Sequence, residues 1–356
     1  MFNANDIADA LAHAVGENDE AATVTHFLST GYPELDYALS NMWDAGIAGG
    51  RMIEISGPPS AGKTAIATSI MAHAQRMGGI AGFMDHERSF SMKLAENLGL
   101  NTKPGYLTYK KPRTFEQSIS ICIEAAKIIR TKKLIDPKAP IVWVFDSLAA
   151  MVPQSALIDA KTGKDKEAED RNMNDNTALA RATSAHFPAL AQHADEFGIC
   201  MIFLNQIRID LKVLYGDNRK TAGGDNSKFY FSQRIMLAAS KITKSATDKE
   251  VVGTQISAVI IKNKVARPFR TATWRFEFLE DGTGRFNTYR SLIDFLVKQK
   301  ILGSSAGYVA WEGGKSYPGP LAAKLEKENA WDKLIALLPK GYEPEVVAEI
   351  EPEVAA

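Results

Sequence analysis

The sequence predicts an α/β fold on a mostly parallel central sheet, with a short helix ahead of it and a small α+β unit behind it. Three observations predict this. Between about residues 25 and 275, short apolar runs alternate with longer stretches of helical spacing, the texture of strands joined by helices. The later runs of that region follow one another without long helices between them, which predicts antiparallel additions at one edge. From about residue 286 the texture changes to TYRSLIDFLVKQKIL, a Gly/Ser/Tyr/Trp stretch and GPLAAKLEKENAWDKLIALL. The chain has 356 residues, 45% hydrophobic and 24% charged. That is ample for a sizeable core and excludes a disordered chain.

The elements follow in order. Residues 5–16 (NDIADALAHAVG) place Ile7, Ala8, Leu11, Ala12 and Val15 at helical spacing, with Asn5 as a cap. A helix this short is unstable alone in water, so it must rest on its own core or on another subunit. Strands are expected at Met52–Ser56, Ile80–Met84, Ile141–Phe145, Ile199–Leu204, Arg234–Ala238 and Ile256–Ile261, and helices at 63–77, 91–98, 114–130 and 175–196. The division expected is an N-terminal docking helix and linker (1–28), a core (29–275), a small C-terminal domain (276–340) and an acidic tail (341–356).

Two cysteines, Cys122 and Cys200, stand in apolar surroundings. A disulfide scaffold or thiolate zinc site is not expected, and a reducing cytoplasm fits. No apolar run approaches the roughly 18 residues of a spanning helix, and the N-terminus lacks the basic region of a secretory signal. Lys plus Arg and Asp plus Glu both total 42, but unevenly along the chain. The first 50 residues hold eight acids and no base, and the last 16 hold five acids and no base. The segment 51–340 therefore carries a net charge of +13. A basic middle suits a polyanion binder, although solvated surface charge would look the same.

The strongest motif is Gly57-Pro58-Pro59-Ser60-Ala61-Gly62-Lys63-Thr64. It fits G-x-x-x-x-G-K-[ST], follows the run MIEIS and opens a helical pattern, which is the context of a P-loop. Gly57 and Gly62 let backbone N–H groups turn toward a β-phosphate, and the helix start adds positive potential. Lys63 would reach the β- and γ-phosphates of ATP, and the Thr64 hydroxyl would coordinate Mg²⁺. The run IVWVF ends in Asp146, the acid expected to hold the metal shell with Thr64. The run IAGFM leads into Asp85-His86-Glu87-Arg88, and Glu87 is the candidate for activating water; His86 reads as structural or surface. The run CMIFL ends in Asn205-Gln206-Ile207-Arg208, where an amide suits a γ-phosphate sensor. A strand-terminating polar residue explains it equally well from spacing alone.

Two long stretches have no evident core pattern: 154–175, dense in both charges, and 207–228, with Arg208, Lys212, Tyr215, Arg219, Lys220, the pair Gly223-Gly224 and Lys228. Long loops in a compact domain tend to be functional or disordered. Basic residues, aromatics and glycines together suit single-stranded nucleic acid, where phosphates are tracked and bases stacked. The second loop starts directly after Gln206, so a sensor there would couple nucleotide state to loop order.

The order of these motifs resembles the RecA family of homologous-recombination proteins over about Ser29–Leu338. STGYPELDYAL resembles the STG-x-x-x-LD-x-AL segment of that family, and GPPSAGKT its P-loop. MDHERSF puts Glu87 at the catalytic glutamate, and VFDSLAAMVP resembles the magnesium-binding strand end. LNQIR puts Gln206 at the sensing glutamine, and GGDNSKFYFSQR resembles the end of the second DNA loop, with Lys228 and Phe229 as a coupling pair. IKNKVARPF resembles KNK-x-x-x-PF, where two lysines, here Lys262 and Lys264, reach the ATP of the neighbouring subunit. The resemblance implies a RecA-type P-loop core and a DNA-dependent ATPase that forms a helical homo-filament on single-stranded DNA. It would exchange strands with double-stranded DNA, served by single-strand-binding and mediator proteins. Arg181 takes the place of a DNA-contacting arginine, and Leu211 that of an apolar side chain inserted between base triplets.

Departures from the family pattern are specific. Leu94 stands in place of the adenine-stacking tyrosine, the first loop carries the charged insert Lys161–Arg171, and Asp210 replaces a basic residue. These mark a diverged member, phage encoding among the origins that fit. The acidic tail would compete with DNA. Two other readings are a ring-forming RecA-fold helicase and an ATP-gated DNA-binding mediator without strand exchange. The first lacks support in a KNK pair, and the second is disfavoured by Glu87 beside an intact P-loop.

Overall fold

The computed structural model describes residue 24 and residues 26–159, 161–167, 177–209, 219–245 and 247–341. The helix expected over 5–16 and the acids of the tail lie outside these residues.

Chain order begins with the short pair β1 (Phe27–Leu28) and β2 (Ile47–Ala48) around helix α1 (Pro33–Ser40). The first half of the core follows: β3 (Met52–Gly57), α2 (Lys63–Arg76), β4 (Ile80–Asp85), α3 (Met92–Asn97), β5 (Leu107–Lys110), α4 (Phe115–Thr131) and β6 (Ile141–Asp146). After α5 (Gln154–Leu157) come α6 (Ala178–Glu196), β7 (Ile199–Ile209), β8 (Arg219–Thr221) and α7 (Gly224–Tyr230). Strands β9 (Gln233–Thr243), β10 (Val251–Asn263), β11 (Thr271–Phe278) and β12 (Gly284–Phe286) complete the main sheet. The C-terminal unit holds α8 (Thr288–Lys298), β13 (Ser304–Ser305), β14 (Tyr308–Trp311), β15 (Gly314–Ser316), α9 (Pro318–Lys327) and α10 (Trp331–Ile335).

The main sheet runs β12-β11-β10-β9-β3-β7-β6-β4-β5, with β8 paired to β7 alone. The strands from β9 to β5 are mutually parallel, and β10, β11 and β12 add antiparallel at one edge. The sheet is therefore α/β and mostly parallel, as the alternation of runs predicts. Its central strands are apolar on both faces because helices cover both. In β6, Val142 and Val144 enter one core layer with Ile55, Ile66 and Ile202. Trp143 and Phe145 enter the other with Phe115, Phe187 and Phe203, and the Phe145 and Phe203 rings stack at 4.5 Å. A separate cluster of Leu292, Phe295, Leu321, Leu325 and Leu334 holds the C-terminal unit.

Helix starts follow side-chain chemistry. Thr114 accepts from the Gln117 N–H ahead of α4, Ser91 from Leu94 ahead of α3, and Asn287 from Arg290 ahead of α8, each satisfying a first-turn donor. Helix α6 continues through Pro188.

Three features differ from the expected layout. Strand β5 lies beside β4 although Leu-Thr-Tyr-Lys has no apolar run. Strands β9 and β10 have 11 and 13 residues, longer than the apolar runs in them, because their outer halves form a solvated hairpin with exposed Ser240, Lys241 and Lys244. The stretch 207–228, expected as a loop throughout, contains the end of β7, β8 and most of α7. The reason is local: Gly223 and Gly224 take left-handed φ of 95° and 74°, which stops the chain and starts a helix that buries Ser227.

A buried ion pair lies inside this framework. Glu54 sits mid-strand in β3, fully buried, and accepts from Arg234 Nε at 2.6 Å and from Asn205 Nδ2 at 2.8 Å. Removing one partner of a buried ion pair strands the other charge, at a cost of about 3–5 kcal/mol. Arg234→Met is therefore expected to lower unfolding stability by about that amount, measured by urea denaturation; a midpoint equal to that of the unaltered protein would disprove the role.

Candidate nucleotide and nucleic-acid site

Parallel register brings the polar strand ends to one edge of the sheet. Gly57 of β3 is in register with Gln206 of β7, and Asp85 of β4 with Asp146 of β6. The sheet order puts β7 between β3 and β6, so the amide of Gln206 lies between the phosphate loop and the carboxylates. Ligands of open α/β sheets bind at this edge.

The loop from Gly57 to Thr64 closes over the start of α2. Pro58, Pro59 and Ser60 are exposed, whereas Ala61 is buried. Gly62 has φ of 85°, and a Cβ there would meet Ile256 Cδ1 at 2.7 Å, so both conformation and space demand glycine. Lys63 Nζ donates to the carbonyls of Gly57 at 3.0 Å and Pro58 at 2.7 Å. Burial holds its pKa below the usual lysine value, against the pull of Asp146 and Glu87. Thr64 Oγ1 donates to Asp146 Oδ2 at 2.8 Å, so the two expected metal-holding groups touch. Asp146 is 4% exposed, and burial pushes its carboxyl up to about 6, with Glu87 and Asp85 adding to the rise against Thr64 and Lys63. A hydroxyl and one carboxylate, both hard oxygen donors beside a phosphate loop, fit Mg²⁺, which takes few protein ligands and shares phosphate oxygens. Among the described residues there is no larger cluster of His, Cys, Asp and Glu that could hold a metal.

Glu87 is exposed on the turn after β4. That turn is tightly held. The N–H groups of His86 and Glu87 both donate to the Asp146 carbonyl, at 2.7 and 3.2 Å. His86 Nε2 lies 2.6 Å from Ser118 Oγ on α4. Arg88 adopts φ of 60° and donates to the Pro112 carbonyl at 3.2 Å. The Glu87 carboxylate accepts from the Ser147 hydroxyl and, at 2.9 Å on the same oxygen, from Gln206 Nε2. Sensor and water-activating candidates are thus in direct contact.

His86 is half-buried and structural. Burial, aided by Arg88, lowers its pKa to about 4. A base with a depressed folded-state pKa contributes stability that is complete above its unfolded value of about 6.5 and is lost as pH falls toward 4. The stability difference between the unaltered protein and His86→Asn is therefore expected to shrink steadily from pH 7 to pH 4. Parallel curves over that range would refute it.

The remaining candidates lie elsewhere. Lys262 Nζ donates to the carbonyls of Lys228 and Phe229 at 2.6 and 3.0 Å, and Lys264 Nζ to Phe229 at 3.3 Å. Both lysines thus cap the end of α7. Asn263 is in register with Gln233, which is in register with Ile53. The pair therefore sits at the opposite edge of the sheet from its own P-loop, about 13 Å along β3. Burial and the neighbouring Lys264 and Arg234 push Lys262 down to about 8. Phe229 is 69% exposed. It lines a groove of about 880 Å³ with Tyr230, Lys264, Arg51 and Asp195. Lys228 pairs with Asp225 at 2.6 Å. Arg181 is exposed on the first turn of α6, and Arg208 is in register with Lys220 in the β7–β8 pair. Leu211 and Tyr215 lie outside the described residues, as does part of the insert Lys161–Arg171.

No pattern in the sequence assigns a role to Glu54, or to Asn205 beyond its place at a strand end. Asn205 Nδ2 bridges Glu54 and the carbonyl of Ala222, at 2.8 and 3.0 Å, joining the P-loop strand to the far end of the second loop. An acid in the middle of the apolar run MIEIS was the available signal.

Fold and site together define a P-loop nucleotide-binding protein. A family model of the RecA N-terminal domain matches residues 10–282. Protein RecA of Chloroherpeton thalassium is 34% identical over 297 residues, covering 83% of this chain and 75% of the relative. Protein RecA of Geobacter metallireducens is 33% identical over 339 residues, 94% of this chain and 86% of the relative. The chain belongs to the RecA family, whose members in general are recombinases that bind nucleotide and DNA.

Proposed function

We propose that this protein is an ATP-dependent recombinase that polymerises on single-stranded DNA, searches duplex DNA for homology and exchanges strands, with DNA-stimulated ATP hydrolysis. The observation that carries the reading is the hydrogen bond from Gln206 to Glu87, because the backbone of Gln206 runs straight into the stretch 207–228. A γ-phosphate competing for that amide would release Glu87 and alter the strand leading to the DNA loop.

In the reaction, backbone N–H groups of the P-loop and Lys63 would hold the β- and γ-phosphates. Bound Mg²⁺ would neutralise phosphate charge beside Thr64 and Asp146. Glu87 would orient the attacking water and accept its proton as the water oxygen bonds to the γ-phosphorus. The bond to the bridging oxygen then breaks, leaving ADP and phosphate. Lys262 and Lys264, at the opposite sheet edge, would complete the site of a neighbouring protomer. Arg181, Arg208, Leu211, Tyr215, Gly223, Gly224, Lys228 and Phe229 would contact DNA or relay its binding. Leu94 would leave adenine stacking to another group.

The test is strand exchange between a single strand and a labelled homologous duplex, with ATP or a slowly hydrolysed analogue and Mg²⁺. Homology-dependent displacement is the expected result. Tight ATP-dependent binding without displacement would move the protein to the mediator reading. Closed rings instead of filaments on single-stranded DNA, seen by electron microscopy, would move it to the helicase reading.

A further inference from the structure

The dipeptide Ala222-Gly223 is a meeting point of three elements. From the sensor strand, Asn205 Nδ2 donates to the Ala222 carbonyl at 3.0 Å. From the helix that leads out of the first long loop, Thr183 Oγ1 lies 2.6 Å from the Gly223 carbonyl and 3.0 Å from that of Ala180. One hydroxyl carries one proton, and the shorter contact is the one across elements. Thr183 is fully buried, and Gly223 is buried as well. The joint is closely packed: a Cβ on Gly224 would stand 3.0 Å from Ala180 Cβ, and one on Gly223 would stand 3.0 Å from Leu148 Cδ2 and 3.5 Å from Thr183 Cγ2. The Thr183 hydroxyl is thus a polar tie between the stems of two segments that are distant in sequence.

We infer that Thr183 is a positioning residue that locks the end of the second DNA loop to the helix following the first, so that both segments engage single-stranded DNA as one unit. The inference rests on the DNA-binding reading above. Asn205 and Thr183 grip adjacent carbonyls, so nucleotide state arriving through β7 and the placement of α6 bear on the same two residues. Removing the hydroxyl leaves the buried Gly223 carbonyl without this donor, a loss on the scale of one neutral hydrogen bond.

Thr183→Val keeps the shape and removes the donor; Thr183→Ser keeps the donor. Fluorescence anisotropy of a labelled oligothymidylate, with the slowly hydrolysed ATP analogue and Mg²⁺, would read DNA affinity. A fluorescent ATP analogue without DNA would read nucleotide affinity. The expected result is about tenfold weaker DNA binding for Thr183→Val, unchanged nucleotide affinity, and near-complete recovery in Thr183→Ser. Should Thr183→Val not fold, Thr183→Ala is measured in its place. DNA affinity unchanged by loss of the hydroxyl, nucleotide affinity falling in the same proportion, or a serine variant as weak as the valine would overturn the inference. Unaltered protein that fails to bind the oligothymidylate in the presence of the nucleotide analogue would overturn the DNA-binding reading itself, and that control separates the two failures.

Discussion

Glu87→Gln is expected to slow ATP turnover by about 10²–10⁴-fold, the usual contribution of a positioned general base, while ATP and single-stranded DNA binding persist. The geometry explains the separation. Glu87 Oε1 accepts from Ser147 and Gln206, and a glutamine oxygen can accept the same two bonds. The turn is held by backbone bonds to Asp146, the His86–Ser118 contact and the Arg88–Pro112 contact, none of which needs the carboxylate. The variant should therefore fold, bind and stall. Steady-state phosphate release against filter-binding affinity decides it. Turnover within a few-fold of the unaltered protein would show that another group activates the water.

Lys63→Ala is expected to abolish strand exchange and to cut turnover by about 10²–10³-fold, in the range for removing one preorganised charge from a phosphoryl-transfer site. It should leave the fold alone. Of the two carbonyls that Lys63 caps, that of Gly57 belongs to a buried residue and that of Pro58 to an exposed one, so water can replace the ammonium at Pro58. A change in stability within about 0.5 kcal/mol, together with lost nucleotide affinity, is the expected signature. Retained nucleotide affinity with undiminished exchange would remove the P-loop from the mechanism.

Much of this site was legible in the sequence for a simple reason. An apolar run that ends abruptly in a polar residue marks the carboxyl end of a buried parallel strand, and parallel register gathers such ends on one edge. Asp146, Gln206 and the Asp85–Glu87 turn all stand at such ends. What spacing could not supply was which strands are neighbours. Strand β3 lies between β7 and β9, both far along the chain, so the contacts of Glu54 with Asn205 and Arg234 have no local signature beyond a lone acid in MIEIS. Helix α7 was hidden because its two glycines and polar residues read as loop, although the same glycines create its start. Strand β5 was hidden because an edge strand needs little apolar character when its partner β4 is already placed.

The opposite-edge placement of Lys262 and Lys264 relative to the P-loop has a consequence for polarity. If each protomer lends its lysines forward and receives them from behind, the contact is heterologous, and the assembly has two unlike ends. One terminal subunit would present a phosphate loop that nobody completes, and the other a lysine pair with no nucleotide to serve. Growth and shedding would then differ between the ends, giving a polymer of one copied chain a built-in direction.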